Sequence, residues 1–192
     1  MKYSYHLLVI LIACFFATTS CSSQSYPKKI QNVSSDSSEI NQMRAGQKMG
    51  LWKTFYANGQ PKNEGYYAAG LKEGVHKAWE QDGTFSEEAE FTAGKQTGET
   101  RWYHPQGHLA ASGQMVDGVR EGPWVICDIE ENGFCIDAFF KNGKRSGVWK
   151  IYHDVDHKKL WKEQTFENDR VVSERCWDEY GILVTCIESA PR

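Results

Sequence analysis

The stretch EGYYAAGLKEG, Glu64–Gly74, returns 24 residues later as EAEFTAGKQTG, Glu88–Gly98, and after another 24 as SGQMVDGVREG, Ser112–Gly122. Recurrence at a fixed period marks a repeat architecture in which each unit is one supersecondary piece. The constant feature is a glycine pair spaced G-x-x-x-G, at Gly46/Gly50, Gly70/Gly74, Gly94/Gly98, Gly118/Gly122 and Gly143/Gly147. Successive first glycines are 24, 24, 24 and 25 residues apart. A third glycine follows nine residues after the pair at Gly59, Gly83 and Gly107, and eleven after it at Gly133, where Glu130, Glu131 and Asn132 read as a small insertion.

Each anchor has a conformational reason. Asn58-Gly59, Asp82-Gly83 and Asn132-Gly133 are favoured pairs for tight hairpin turns, where backbone φ must be positive. Ala69-Gly70, Asp117-Gly118 and Asn142-Gly143 sit at the opposite turn. Between the turns lie segments of about six residues, a common strand length. One strand reads LWKTFY (51–56), VHKAWE (75–80), ETRWYH (99–104), PWVICD (123–128) and VWKIYH (148–153). Its third position is Lys53, Lys77, Arg101, Val125 and Lys150; its fifth is Phe55, Trp79, Tyr103, Cys127 and Tyr152. The returning strand carries a bulky residue (Tyr67, Phe91, Met115, Phe140) and, two places earlier, a small one (Gly65, Ala89, Gly113, Ala138). Residues two apart share a strand face. Each copy therefore sets a small residue beside a large one, leaving room for a neighbouring ring to lie flat. On this reading the glycines make the turns, the small residues admit rings, and the charges face water.

The G-x-W openings (Gly50-Leu51-Trp52, Gly122-Pro123-Trp124, Gly147-Val148-Trp149) and the phrase Glu64-Gly65-Tyr66-Tyr67 resemble MORN repeats. They most resemble the bacterial variant often described as the antitoxin of a toxin–antitoxin pair. The resemblance covers residues 45–188. It implies an all-β fold, an elongated, curved, single-layer antiparallel sheet built from tandem hairpin repeats of about 24 residues. His76 and Thr100 depart from the tryptophan of the opening, and the sixth copy has Asp169 for the turn glycine before recovering at Trp177-Asp178-Glu179-Tyr180-Gly181. Degenerate terminal repeats are expected as caps. A single-layer sheet must guard its edges, a role suited to the strand lysines and the irregular last hairpin. Its rows of aromatics offer a broad surface to a partner.

The totals agree with a β protein carrying a leader. Seventeen glycines, seven Trp, nine Tyr and nine Phe stand against five prolines in 192 residues, a composition of many turns and packed rings. The net charge is −3, from 22 basic and 25 acidic residues that are well interspersed. No basic stripe exists for counterion release, which argues against a nucleic-acid partner. Lys2, the apolar run LLVILIACFFA (Leu7–Ala17) and the small residues Thr18-Thr19-Ser20 before Cys21 make an export signal over residues 1–20. The run is too short to span a bilayer. Its end resembles a bacterial lipoprotein signal, which implies that Cys21 becomes the first mature residue and carries the lipid, palmitate included. A leucine is usual where Thr18 stands; Leu11-Ile12-Ala13-Cys14 fits the consensus better but leaves too short a run before it. Losing residues 1–20 removes Lys2 and no acid, moving the net charge from −3 to −4. Residues 21–44 read as a flexible serine-rich tether, with too little apolar surface to offset its ordering entropy. About 22 residues of such chain span roughly 25 Å end to end.

Cys14 and Cys21 belong to the export segment, leaving Cys127, Cys135, Cys176 and Cys186. An even set in an exported chain implies disulfides, with three connectivities open. Cys127 and Cys135 flank the turn at Gly133, and Cys176 and Cys186 flank Gly181, so each pair is expected to bridge its own hairpin. Zinc is the alternative, against which stand the missing C-x-x-C spacing and the oxidising effect of export. His153-Asp154-Val155-Asp156-His157 offers ligand types, but it falls at a turn bracketed by Lys158 and Lys159 and reads as a solvated loop. His104 and His108 flank a turn containing Pro105. Glu87-Glu88 and Glu130-Glu131 are adjacent and point to opposite faces of a strand. No nucleophile, base and acid come together, so no enzyme, cofactor, metal or small-molecule substrate is expected.

The expected function is that of a membrane-anchored repeat protein in the bacterial envelope, on the outer membrane or facing the periplasm. It binds an envelope protein, peptide or glycan surface. The expected contacts are Trp52, Trp124 and Trp149 at the strand openings and Phe55, Trp79 and Tyr103 at the fifth position, since Trp and Tyr are enriched in hot spots. The alternative is an antitoxin or immunity-like protein that neutralises a toxin.

Overall fold

The computed structural model describes residues 40–128 and 133–186. The export signal, Cys21, most of the tether, the insertion at Glu130–Asn132 and residues 187–192 lie outside the described residues. The described chain forms fourteen strands: β1 (Gln42–Arg44), β2 (Gln47–Phe55), β3 (Pro61–Ala68), β4 (Leu71–Trp79), β5 (Phe85–Thr92), β6 (Lys95–Tyr103), β7 (Leu109–Val116), β8 (Val119–Asp128), β9 (Phe134–Lys141), β10 (Lys144–Arg145), β11 (Gly147–Tyr152), β12 (Leu160–Glu167), β13 (Arg170–Trp177) and β14 (Leu183–Val184). They make one open antiparallel sheet in which consecutive strands are neighbours; β10 pairs only with β9, which continues to β11. This is the all-β hairpin file that the repeat implies.

The sheet starts at Gln42, inside the segment expected to be tether. The reason is Asn41, whose backbone is left-handed (φ 58). Its Nδ2 donates to Lys53 O at 2.9 Å, and its Oδ1 accepts from Lys53 N at 2.7 Å. Its own N–H donates to Leu51 O at 2.8 Å. One residue thus stands in for a neighbouring strand along β2 past the end of β1, and blunts that edge.

The two ends of the hairpins use different turns. At one end, Ala69 and Gly70 have φ of 49 and 80, and Ala68 pairs with Leu71. Two residues with positive φ make a type I′ turn, and the same signs recur at Ala45-Gly46, Ala93-Gly94, Asp117-Gly118 and Asn142-Gly143. At the other end Gly59 N donates to Tyr56 O at 3.0 Å, Gly83 N to Glu80 O at 3.0 Å and Gly107 N to His104 O at 2.8 Å. Of these central residues only the glycine has positive φ, the pattern of a type I turn closed by a glycine bulge. Asn58-Gly59 and Asp82-Gly83 are therefore not two-residue turns. Asn58 and Asp82 serve as local acceptors, taking Gln60 N–H at 3.1 Å and Thr84 N–H at 2.8 Å.

The second glycine of each pair makes no turn. Gly50, Gly74, Gly98, Gly122 and Gly147 lie within or at the start of strands at φ between 64 and 109. The pairing beside them skips, for example from Glu64↔Lys77 to Tyr66↔Glu73, which is a β-bulge. Because the strands run through these glycines, β2, β4 and β6 have nine residues rather than six.

Turns also tie each repeat to the one before. Gly70 N donates to Lys48 O, Gly94 N to Lys72 O and Gly118 N to Gln96 O, each at 2.9 Å, and Gly143 N to Arg120 O at 3.0 Å. The sixth copy keeps this link without glycine. Asp169, at φ 70, donates its N–H to Arg145 O at 3.1 Å, and its Oδ1 accepts from Arg145 N at 2.8 Å.

Candidate functional site

One face of the sheet carries the hydrophobic core, centred on Trp124, Phe140, Trp149 and Phe166. Trp52, His76, Thr100, Trp124 and Trp149 stand two residues after each strand glycine and form a column. A Cβ added at Gly65 would lie 2.2 Å from the His76 ring, and one at Gly113 2.3 Å from the Trp124 ring. Each ring therefore lies flat on the small residue beside it. The ring N–H then caps the neighbouring carbonyl: His76 Nε2 to Tyr66 O at 2.8 Å, Trp124 Nε1 to Gln114 O at 3.1 Å, and Trp149 Nε1 to Phe139 O at 3.0 Å. His76 thus does what tryptophan does in this column. Thr100, fully buried, has no ring; its hydroxyl accepts from Gln96 Nε2 at 2.9 Å. Trp102 stacks on Trp124 from the Thr100 strand, with centroids 5.5 Å apart.

The bulky residues of the returning strands fill the gaps. His76–Phe91, Phe140–Trp149 and Trp149–Phe166 centroids lie 5.0, 5.2 and 5.1 Å apart, within the range for favourable tilted and edge contacts. Cations cover the rings: Lys48 over Trp52 at 4.5 Å, Lys72 over Phe91 at 4.3 Å, Arg120 over Trp124 at 4.8 Å and Arg145 over Phe166 at 4.5 Å. These cations all follow the first glycine by two, so the charge there is part of the packing. This corrects the reading that charges merely face water. It also corrects the expected exposure of two binding residues. Trp124 is 2% and Trp149 8% exposed: Trp124 lies on Gly113 with Arg120 above it, Trp149 packs between Phe140 and Phe166, and Trp52 is half-buried under Lys48.

The opposite face is open. Along its middle, Lys53 pairs with Glu64 at 2.9 Å, Lys77 with Glu88 at 3.7 Å and Arg101 with Glu88 at 2.9 Å. The pattern resumes with Glu163 and Arg175. The strand lysines expected at edges therefore meet acids across neighbouring strands. Such exposed pairs contribute at most about 1 kcal/mol each, but opposite charges in register favour this pairing over ones that place like charges together. Beside this belt runs an apolar row toward the glycine-bulge turns, with Trp79–Phe85 and Phe85–Tyr103 centroids 5.5 and 5.2 Å apart. Phe55 begins the row, 55% exposed; Trp79 and Tyr103 are half-buried. Phe139 and Val148 are exposed on the other side of the belt.

The row continues into the Cys127–Cys135 disulfide, whose residues face each other across β8 and β9 with Cα atoms 4.1 Å apart. Cys176 and Cys186 form the second disulfide, so both expected pairings are present. Beyond β11 the loop His153–Lys159 is only partly the solvated loop expected. Lys158 N donates to Asp154 Oδ1 at 2.8 Å, and its ammonium meets Asp156 at 3.0 Å, which raises its pKa. His157 instead turns inward. Its Nδ1 lies 2.9 Å from Asp137 Oδ1, and its ring centroid lies 4.9 Å from that of Tyr152. Tyr152 donates to Asp137 Oδ2 at 3.0 Å. Burial, and then Asp137, push the Tyr152 pKa up to about 12. Among the described residues no helix is long and apolar enough to cross a membrane.

Residues 50–69 and 96–117 match the MORN repeat variant. Each match spans one strand, its glycine-bulge turn and the returning strand as far as the type I′ turn. The MORN-type geometry extends past the matches: β4 with β5 repeats the register of β2 with β3. No curated protein matches the chain significantly. Repeats of this type, joined in one open sheet, suggest a repeat-based protein-binding module.

Proposed function

We propose that this chain is a lipid-anchored MORN-type module of the bacterial envelope, held through Cys21, that binds a protein or peptide partner and performs no catalysis. The observation that carries the reading is the difference between the faces. One carries the buried core of Trp124, Phe140, Trp149 and Phe166 and a row of cations over its rings, whereas the other presents Phe55, Trp79, Phe85 and Tyr103 beside a charged belt. Aromatic anchors flanked by polar groups are the usual composition of a recognition surface. The anchor rests on the lipoprotein-like end of the leader, and the tether gives the sheet reach from the membrane.

The test is crosslinking in intact cells that carry a tagged copy, with Cys21→Ser beside it. One dominant partner, lost from the Cys21→Ser copy, is the expected result. No enriched partner, with the wild type still in the membrane fraction, contradicts the proposal. A second reading, an immunity-like protein that neutralises an envelope-acting toxin, rests on the sequence resemblance to the bacterial repeat variant. A captured partner whose toxicity this chain suppresses would select that reading.

A further inference from the structure

The loop after β11 breaks the repeat in a directed way. Elsewhere the turn closes with Tyr56 N donating to Gln60 O; here His153 N donates to Lys159 O at 2.9 Å, two residues longer. The extra length carries His157, in a left-handed conformation at φ 57, back over the open face. A non-glycine residue persists there only where its surroundings hold it. It arrives at the disulfide: ligand atoms of Cys127, Cys135 and His157 lie within 4.8 Å of one another. They come from β8, β9 and the loop.

Asp137 accepts the Nδ1–H of His157 at 2.9 Å and is itself fixed by the Tyr152 hydroxyl at 3.0 Å. A carboxylate behind an imidazole sets its tautomer and leaves the other nitrogen, Nε2, to bind a metal. Two thiolates and an imidazole are donors that zinc accepts in a tetrahedral site. The second disulfide differs: among the described residues, the further ligand type grouped with Cys176 and Cys186 is the exposed carboxylate of Glu174, with no histidine.

We infer that reduction of Cys127–Cys135 converts this corner into a zinc site, with Cys127, Cys135 and His157 as ligands and Asp137 as the positioning residue. An external dithiol supplies two electrons and two protons to the disulfide, giving two thiols, and is itself oxidised to its disulfide. The cation then displaces the two thiol protons, neutral imidazole donates its Nε2 lone pair, and water completes the shell. The seven paired positions from Gly122↔Phe140 to Asp128↔Phe134 hold β8 against β9 independently of the sulfur bond. The two sulfurs therefore stay opposed after reduction.

The experiment uses the full chain in detergent, reduced with a phosphine that is then removed without oxygen, and titrated with Co2+ and Zn2+ as probes. The reduced chain is expected to bind one equivalent of Co2+ with thiolate-to-metal absorption, displaced by Zn2+, and the oxidised chain none. His157→Ala is expected to weaken binding about tenfold or more, as is Asp137→Asn. A Cys176→Ser, Cys186→Ser chain is expected to bind like the wild type. No thiolate–cobalt band, or unchanged binding in His157→Ala, overturns the inference. Far-UV circular dichroism guards the result: a sheet lost on reduction and not restored by Zn2+ overturns it as well.

Discussion

At the scale of single residues, the packed face depends on positions that admit no extra atom. A methyl group at Gly113 meets the Trp124 ring at 2.3 Å. Gly113→Ala is therefore expected to cost about 1–3 kcal/mol by overpacking, read as a lower urea midpoint with an unchanged slope. His76 ties stability to pH. Burial lowers its pKa from the ordinary 6.5, so the unfolded chain takes up the proton first. Its contribution is complete above pH 6.5 and is lost as pH falls through that value toward the lower folded pKa. His76→Trp, which installs the tryptophan of the first, fourth and fifth copies, is expected to flatten the fall in melting temperature between about pH 7 and 5. An equal fall in both proteins would contradict this. The small-beside-large alternation was legible in the sequence as room for a ring. The hydrogen bond from ring N–H to the carbonyl at the bulge was not, because it depends on a register skip that composition does not reveal.

At the scale of hairpins, the type I′ turns place alanine at φ near 50 in three copies, Ala45, Ala69 and Ala93, whereas later copies use Asp117 and Asn142. Asparagine tolerates that conformation better than alanine. Ala69→Asn and Ala93→Asn are each expected to stabilise by about 0.5–1 kcal/mol, measured by urea unfolding. The sequence located both ends of the repeat hairpins but read Asn58-Gly59 and Asp82-Gly83 as tight two-residue turns, and left the type of the opposite turn open. Asn-Gly is a strong local signal for a two-residue turn, yet strand pairing decides how many residues a loop holds. The glycine at the bulge read as a turn for the same reason, and the strands read short. Both disulfides were legible because they required only which cysteines share a hairpin.

At the scale of the chain, the sequence showed that both faces carry rings but not which face is open. Alternation assigns residues to the same face and is silent on what covers it. The deciding residues were Lys48, Lys72, Arg120 and Arg145, which sequence reading passed over as solvent charges. Arg120 over Trp124, and Arg145 over the Phe166 that packs on Trp149, help make these two rings core, whereas Phe55, Trp79 and Tyr103 stay available. Trp124→Ala is accordingly expected to cost about 3–5 kcal/mol, and Phe55→Ala less than about 0.5 kcal/mol, compared by urea unfolding. The measurement that bears most directly on this division is site-specific photocrosslinking in living cells. A photoreactive residue is placed at Phe55 or Tyr103 on the open face, and at Lys48 or Lys72 on the packed one. The account predicts one shared adduct from Phe55 and Tyr103 and none from Lys48 or Lys72. An adduct from the lysine positions, with none from the two rings, would contradict it.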